Sequence, residues 1–240
     1  MPDLLEDLMI NQTPTPDRPL LGLTVLMVED SRYASEAMRL LCLRSGARIR
    51  RADNLKSAFK HLSVYRPTVV IIDLGLPDGS GADLIKNLAG ANPRVEVILG
   101  ISGNDEGRKL ALAAGADGFF AKPIESLATF QQAILDHLPA HSQPKGLRTL
   151  SQDTISPDRM ALHDDLAHIA DVLNSAGSND RAIEYIAQFL TGVARIAHDG
   201  PLETAVARLT RHRERGQPLA TDIACITGMV HERLEHRKVV

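Results

Sequence analysis

Residues 68–77 read Thr-Val-Val-Ile-Ile-Asp-Leu-Gly-Leu-Pro, four aliphatic side chains in succession closed by an acid and a Gly-Leu-Pro turn. An unbroken apolar run of this kind suits a strand buried on both faces, as in a parallel sheet covered by helices on either side. Working outward, Leu23–Val28 is a second such run and ends in Glu29 and Asp30. Ser31–Ser45 follows with Ala34, Met38, Leu41 and Cys42 at helical spacing, and Gly46 stands where a helix C-terminal cap belongs. Arg48–Ala52 reads as a short strand, Leu55–Tyr65 as a helix stopped by Pro67, Thr68–Leu74 as the central strand, and Asp83–Leu88 as a helix. Val95–Ile101 and Phe119–Ala121 are further strands, followed by helices over Glu106–Ala114 and Glu125–Leu138. Strands alternating with helices over about 120 residues predict an α/β fold, a doubly wound five-stranded parallel sheet.

The flanking segments differ in kind. Residues 1–22 hold a short apolar patch and then Pro14, Pro16 and Pro19, which reads as an arm able to dock through Leu4, Leu5 and Leu8. Residues 139–157, rich in Pro, Ser, Gln and Gly, read as a flexible linker. Beyond it the strand signal vanishes. Leu162, Leu166, Ile169 and Leu173 recur at helical spacing, as do Ile183, Ile186, Leu190 and Val193, then Leu202, Val206 and Leu209, then Leu219, Ile223, Ile226, Val230 and Leu234. Residues 158–240 are therefore expected to form an all-α, four-helix domain. The division is arm 1–22, α/β domain 23–138, linker 139–157 and helical domain 158–240.

Composition narrows the classes. Of 240 residues 44% are hydrophobic and 24% charged, the balance of a globular chain, which excludes disorder throughout. The formal charge of −3 gives no prior for nucleic acid, and the absence of Trp with 3% aromatics argues against stacking platforms for bases or sugars. Cys42 and Cys225 lie far apart in apolar contexts and read as buried thiols of a reducing compartment. The acidic N-terminus is unlike a signal peptide, and no apolar run approaches membrane-spanning length, so a cytoplasmic location without membrane association is expected.

In a doubly wound sheet, functional groups gather at the carboxyl ends of the strands, near the point where strand order reverses. Here that edge collects Glu29, Asp30, Asp73, Ser102 and Lys122, with Asp53 and Asp105 nearby but without clear partners. Three crowded carboxylates raise one another's pKa unless a cation neutralises them, and Mg²⁺, a hard ion that prefers oxygen ligands, fits such a cluster. An Asp beside Mg²⁺ is a competent nucleophile toward phosphorus; a Lys ammonium and a Ser hydroxyl suit the oxygens of the resulting acyl phosphate. Each residue also has a plainer reading. Asp30 can cap the following helix, Asp73 can cap a turn, Ser102 can be an ordinary loop residue, Phe119 core and Lys122 solvated.

Val28-Glu-Asp30, Asp73-Leu-Gly-Leu-Pro77, Ile101-Ser-Gly103 and Ala121-Lys-Pro123, in this order and each at a strand end, resemble the receiver domain of two-component response regulators. The resemblance runs from Leu23 to about Leu138. It implies a flavodoxin-like receiver in which Asp73 is the phosphoacceptor, with Lys122 as phosphate partner and Ser102 as switch hydroxyl. Phe119 would be the aromatic rotamer switch. Mg²⁺ would be held by Glu29, Asp30, Asp73 and the backbone carbonyl of Gly75, Asp30 binding directly and Glu29 through water. Pro123 matches a position where a cis peptide is common. Glu29 departs from the commoner Asp, and Gly103 from the commoner Ala. The implied role is a phosphorelay switch in bacterial signalling rather than an enzyme, with at most slow self-dephosphorylation. Its donor would be a histidine kinase or phosphotransfer protein. A phosphatase using Asp73 as nucleophile would need a cap insertion for which the short loops leave no space.

The helical half is less explicit. His163, His168, His198, His212, His231 and His236 match no His-x-x-Lys-Gly phosphotransfer pattern and read as surface residues. Ala224-x-x-x-Gly228 resembles the turn of a helix-turn-helix, with Arg208, Arg211, Arg213 and Arg215 upstream, so a DNA-binding output is the alternative. Against it, residues 150–240 hold 10 Lys and Arg but 13 Asp and Glu, a net of −3. A protein-interaction or dimerisation bundle is the favoured expectation, with a downstream protein or a second copy as partner and DNA disfavoured. Phosphorylation is expected to act through the face of the fourth and fifth helices, at 104–138.

Overall fold

The structure is a computed structural model that describes residues 13–104, 106–144, 153–176 and 179–235. The expected docking of Leu4, Leu5 and Leu8, the residues Asp105 and His236, and the middle of the 139–157 stretch lie outside the described residues.

Five parallel strands form the central sheet: β1 (Thr24–Val28), β2 (Arg48–Ala52), β3 (Val69–Asp73), β6 (Val97–Ser102) and β7 (Gly118–Ala121), in spatial order β2-β1-β3-β6-β7. The order reverses between β1 and β3, so the acids that close these two strands meet at the switch point. Burial follows the period of two. Val25, Met27, Val69 and Ile71 pack on one side beneath helices α1 (Arg32–Ser45) and α5 (Leu127–Leu135). Leu26, Val28, Val70 and Ile72 pack on the other, beneath α2 (Leu55–Val64), α3 (Gly81–Ala89) and α4 (Gly107–Ala113). All five residues of β3 are buried, which is why its sequence shows no polar alternation.

Local chemistry sets the helix ends. Ser31, not Asp30, caps α1: its side chain accepts from the Ala34 N–H, and Gly46 adopts the left-handed conformation at the other end with φ 86°. Asn54 and Ser126 cap α2 and α5 in the same way. A two-stranded hairpin, β4 (Gly75–Leu76) with β5 (Gly79–Ser80), fills the turn after β3; the short Gly-Leu-Pro stretch gave no strand pattern to read. Gly81 is required there, because a Cβ would run into the Asp73 carbonyl.

Four helices follow: α6 (Arg159–Ala176), α7 (Asp180–Ile196), α8 (Gly200–Glu214) and α9 (Ala220–Glu235). Each packs on the next and α9 closes onto α6, around a core that includes Leu166, Ile169, Ile186, Leu190, Val206 and Ile226. This core is separate from those flanking the sheet. Residues 220–235 form one unbroken helix, so the turn expected near Gly228 does not exist. Cys42 is buried, but Cys225 is exposed: Ile226 and Val230 are the inward positions of α9 and the adjacent residue faces out.

The ends of the 139–157 stretch are not free of the sheet domain. Gln143 Nε2 donates to the carbonyls of Leu135 and Leu138. Thr154 bridges to Ser126, and Ile155 is buried in the core beside α5. One apolar side chain at 155 and a short backbone bridge anchor a segment whose composition reads as linker. Among the described residues no helix is long and apolar enough to cross a membrane.

Candidate functional site

Parallel register places the expected side chains at one edge. Asp73 closes β3 opposite Ile101 of β6, Glu29 and Asp30 follow β1, Ser102 ends β6, and Lys122 follows β7. Ligand atoms of Glu29, Asp30 and Asp73 all lie within 4.8 Å of one another. Lys122 Nζ reaches Asp73 Oδ2 at 2.8 Å and Glu29 Oε2 at 2.6 Å, and all three of these side chains are buried. The Lys122–Pro123 peptide is cis.

The electrostatics are those of a site with one cation for three carboxylates. Burial, with the neighbouring Asp73 charge, pushes the Glu29 carboxyl well above its usual range, and Lys122 only partly offsets this. Burial also lifts Asp30 to about 6, against a hydrogen bond from Tyr185 that lowers it. Burial alone would lower the Lys122 ammonium, but the charges of Asp73 and Glu29 win and raise it. Glu29 Oε2 touches Lys122 ionically yet makes no aligned hydrogen bond, leaving a buried carboxylate oxygen with capacity to spare. A hard divalent cation suits this donor set: oxygen ligands, excess negative charge and an under-satisfied carboxylate.

The remaining expected residues are near but differently engaged. Ser102 Oγ accepts from the Asn104 N–H at 3.0 Å. Phe119 is half-buried, with the Arg108 guanidinium 5.6 Å above its ring and the Gly107 backbone against its edge. The Gly75 N–H points to Asp73 Oδ1 at 3.3 Å. Asp53 lines a neighbouring cleft together with Asp30 and Arg51. A cleft of about 970 Å³ opens over Asp73 and is lined by Ser102, Tyr185 and Gln188, among others.

Two residues of this site come from the helical half and escaped the sequence reading. Tyr185 Oη donates to Asp30 Oδ2 at 2.7 Å. Asp165, almost fully buried, accepts from Ser31 Oγ at 2.6 Å and from the backbone N–H groups of Arg32 and Tyr33. Neither belongs to a motif, and they are 155 and 134 residues from their partners. The helical domain thus packs on α1 and on the site edge, and within the 104–138 stretch where coupling was expected His198 meets Glu125, just before α5.

Asp30 carries a pH signature. Between the ordinary carboxylate value and about 6, the folded chain holds a proton that the unfolded chain has lost. Stability therefore falls as pH rises through that window, and the cost is fully present above it. Without divalent cation, Asp30→Asn should raise stability above this window by up to about 3 kcal/mol and flatten the slope. Thermal unfolding at about pH 5 and about pH 8 reads this; an Asn variant no more stable than the parent at the higher pH refutes it.

A five-stranded, doubly wound sheet with an acid cluster and a lysine at its switch point defines the class. Residues 25–134 match the response regulator receiver domain. The KDP operon transcriptional regulatory protein KdpE of Escherichia coli is 29% identical over 142 residues, covering 58% of this chain and 63% of that one. The probable transcriptional regulatory protein TcrX of Mycobacterium tuberculosis is 31% identical over 136 residues, covering 55% and 58%. The chain thus spans about three-fifths of the length of these relatives. Among solved structures, a putative response regulator from Chloroflexus aurantiacus aligns with TM-score 0.45 and 25% identity, over 48% of this chain and 95% of that one. A receiver domain of a Pseudomonas aeruginosa sensor histidine kinase, described with a magnesium ion in its active-site cleft, aligns with TM-score 0.44 and 22% identity, over 48% and 97%. With relatives named as transcriptional regulators, the expectation that DNA is an improbable partner has no support from the comparisons.

Proposed function

We propose that this chain is a response regulator of a two-component phosphorelay, taking a phosphoryl group on Asp73 and signalling through its helical domain. The observation that carries the reading is the Asp73 carboxylate, at the end of a fully buried strand, 2.8 Å from Lys122 Nζ and clustered with Glu29 and Asp30. An Asp73 carboxylate oxygen attacks phosphorus of a donor phosphohistidine. The N–P bond breaks, its electron pair stays on the imidazole nitrogen, and an acyl phosphate forms on Asp73. Lys122 neutralises one phosphoryl oxygen, and Ser102 swings from Asn104 to donate to another. Phe119 then turns inward to fill the space that Ser102 leaves. Glu29, Asp30, Asp73 and the Gly75 carbonyl would hold Mg²⁺, which screens the approach of donor phosphate to carboxylate. The donor is a histidine kinase or phosphotransfer protein, the location cytoplasmic, and the role a switch without substrate turnover beyond slow loss of its own phosphate.

The output is read as a protein-interaction or dimerisation bundle. Part of its basic run is paired within it: Arg208 and His212 with Asp222, and Arg213 with Asp180 and Glu184. The names of the relatives favour a second reading, regulation of transcription through DNA. Incubating the full chain with Mg²⁺ and acetyl phosphate, then measuring intact mass, tests the receiver reading. One added phosphoryl group that depends on Mg²⁺ is expected; none, at any Mg²⁺ concentration, overturns it. Salt-sensitive binding of the phosphorylated chain to duplex DNA would decide for the second output.

A further inference from the structure

We propose that the helical domain is a gate on the acid site, in which Tyr185 competes with a divalent cation for the Asp30 carboxylate while Asp165 clasps the start of α1. The proposal rests on the reading of Glu29, Asp30 and Asp73 as the cation site, and it adds the regulation of that site by the chain's other half.

Three observations carry it. First, Tyr185 is held rigidly where it meets Asp30. Its hydroxyl lies 3.0 Å from His168 Nε2 while donating to Asp30 Oδ2, and its ring packs against His168 and Phe189 with centroids 6.3 and 5.7 Å apart. Asp30 Oδ1 already accepts from the Ser31 N–H, so both oxygens of this carboxylate are engaged when the domains are docked. A cation that takes the remaining lone pairs of Asp30 draws electron density from the oxygen that accepts from Tyr185, so the two compete for this carboxylate.

Second, α7 lies directly on the groups around Asp73. A Cβ on Gly75 would run into the Gln188 amide, and Gly103 abuts the backbone of Gly192. A Cβ at Gly192 would itself reach van der Waals contact with the Lys122 side chain, so α7 packs close to that lysine. Arg195 donates to the Gly103 carbonyl, which ties α7 to the loop carrying Ser102. The cleft left over Asp73 has room for a small phosphodonor, but α7 stands where a protein donor would approach.

Third, the interface is built to come apart. The bundle has its own core, and among the described residues the apolar cluster joining the halves has three buried members, Tyr33, Ala34 and Ile196, with Ala161, Leu162 and Ala197 partly buried against them. Polar contacts supply much of the rest: Asp165 with the first residues of α1, Asp164 with Arg32, and His198 with Glu125. An interface of this kind separates without unfolding either side. Because coupling is reciprocal, whatever factor docking takes from cation affinity the cation takes from docking.

Titration calorimetry of the full chain with Mg²⁺ tests this, comparing the parent with Tyr185→Phe and with Asp165→Ala. Tyr185→Phe keeps the ring packing and removes only the hydroxyl. Loss of a hydrogen bond to a charged group predicts roughly tenfold tighter Mg²⁺ binding in this variant. Asp165→Ala, which leaves every acid-site residue in place, should shift affinity in the same direction. Hydrogen exchange in the parent should rise at residues 180–196 and at the start of α1 when Mg²⁺ is added. Equal affinity in all three proteins overturns the gate and leaves the acid-site reading intact. Weaker binding in Tyr185→Phe also overturns it, by making the hydroxyl part of the ion's holding shell. Absence of Mg²⁺ binding in every protein overturns the acid-site reading and the gate with it.

Discussion

Asp73→Asn should lose phosphoryl uptake by roughly a thousandfold or more, the scale on which removal of an enzyme's nucleophile is felt. The amide keeps the shape of the side chain and its place at the end of β3, but it has no anionic oxygen to attack phosphorus. Lys122 retains Glu29 as a partner at 2.6 Å, so the buried ammonium is not stranded and the fold should survive. Intact mass followed over time with Mg²⁺ and acetyl phosphate reads the effect. Uptake by the Asn variant at the parent's rate would mean that another residue is the acceptor. In the parent, chemical trapping of the acyl phosphate should recover the label at position 73.

Lys122→Met should be the most destabilising single change at this edge. The ammonium is the one cation in contact with the buried Glu29 and Asp73 carboxylates among the described residues. Removing one member of a buried ionic group leaves charge uncompensated and costs about 3–5 kcal/mol. For a chain of this length that lowers Tm by roughly 10 °C. The loss has a pH direction. With Lys122 gone, Glu29 takes up a proton more readily, so the penalty is largest at alkaline pH and shrinks as pH falls through the raised value of that carboxyl. Two rescues distinguish this electrostatic cause from a packing defect. Mg²⁺ should restore part of the stability by supplying positive charge, and Glu29→Gln in the same chain should restore part of it by removing negative charge. A Met variant with unchanged Tm, or one indifferent to Mg²⁺, pH and Glu29→Gln, would refute the account.

The site carries its own conflict between stability and function. Burial disfavours Glu29 and Asp30 as ions, while the proposed chemistry needs both ionised. Lys122 partly resolves the conflict at Glu29, and Tyr185 partly resolves it at Asp30. The resting chain thus engages its acids with its own groups but leaves Glu29 Oε2 without an aligned hydrogen bond, and at Asp30 a cation would compete with Tyr185. That competition is what makes the helical half relevant to the chemistry of the sheet.

The five strands and the gathering of Glu29, Asp30, Asp73, Ser102 and Lys122 at one edge were legible in the sequence, the strands because each is a short-range pattern and the edge because parallel strands all end on the same side. Four consecutive aliphatic residues before Asp73 are a buried strand wherever they occur, and the right-handed connection of alternating strands and helices leaves few ways to order them. The four helical stripes were legible for the same reason: a period of 3.6 is local. The β4–β5 hairpin was not, since two-residue strands carry no period. Gly228 looked like a turn, but a lone glycine costs a helix only about 1 kcal/mol and the Ile226–Val230 packing outweighs it. Cys225 looked apolar in context, yet which flank of α9 faces inward depends on where α6 and α8 lie. The docking of the two halves was decided by tertiary structure alone. Asp165 and Tyr185 stand in ordinary helical surroundings, and nothing within several residues of either signals a partner. Their roles arise only because folding brings α6 and α7 onto the start of α1 and the carboxyl edge of the sheet, where buried donors and acceptors must find one another.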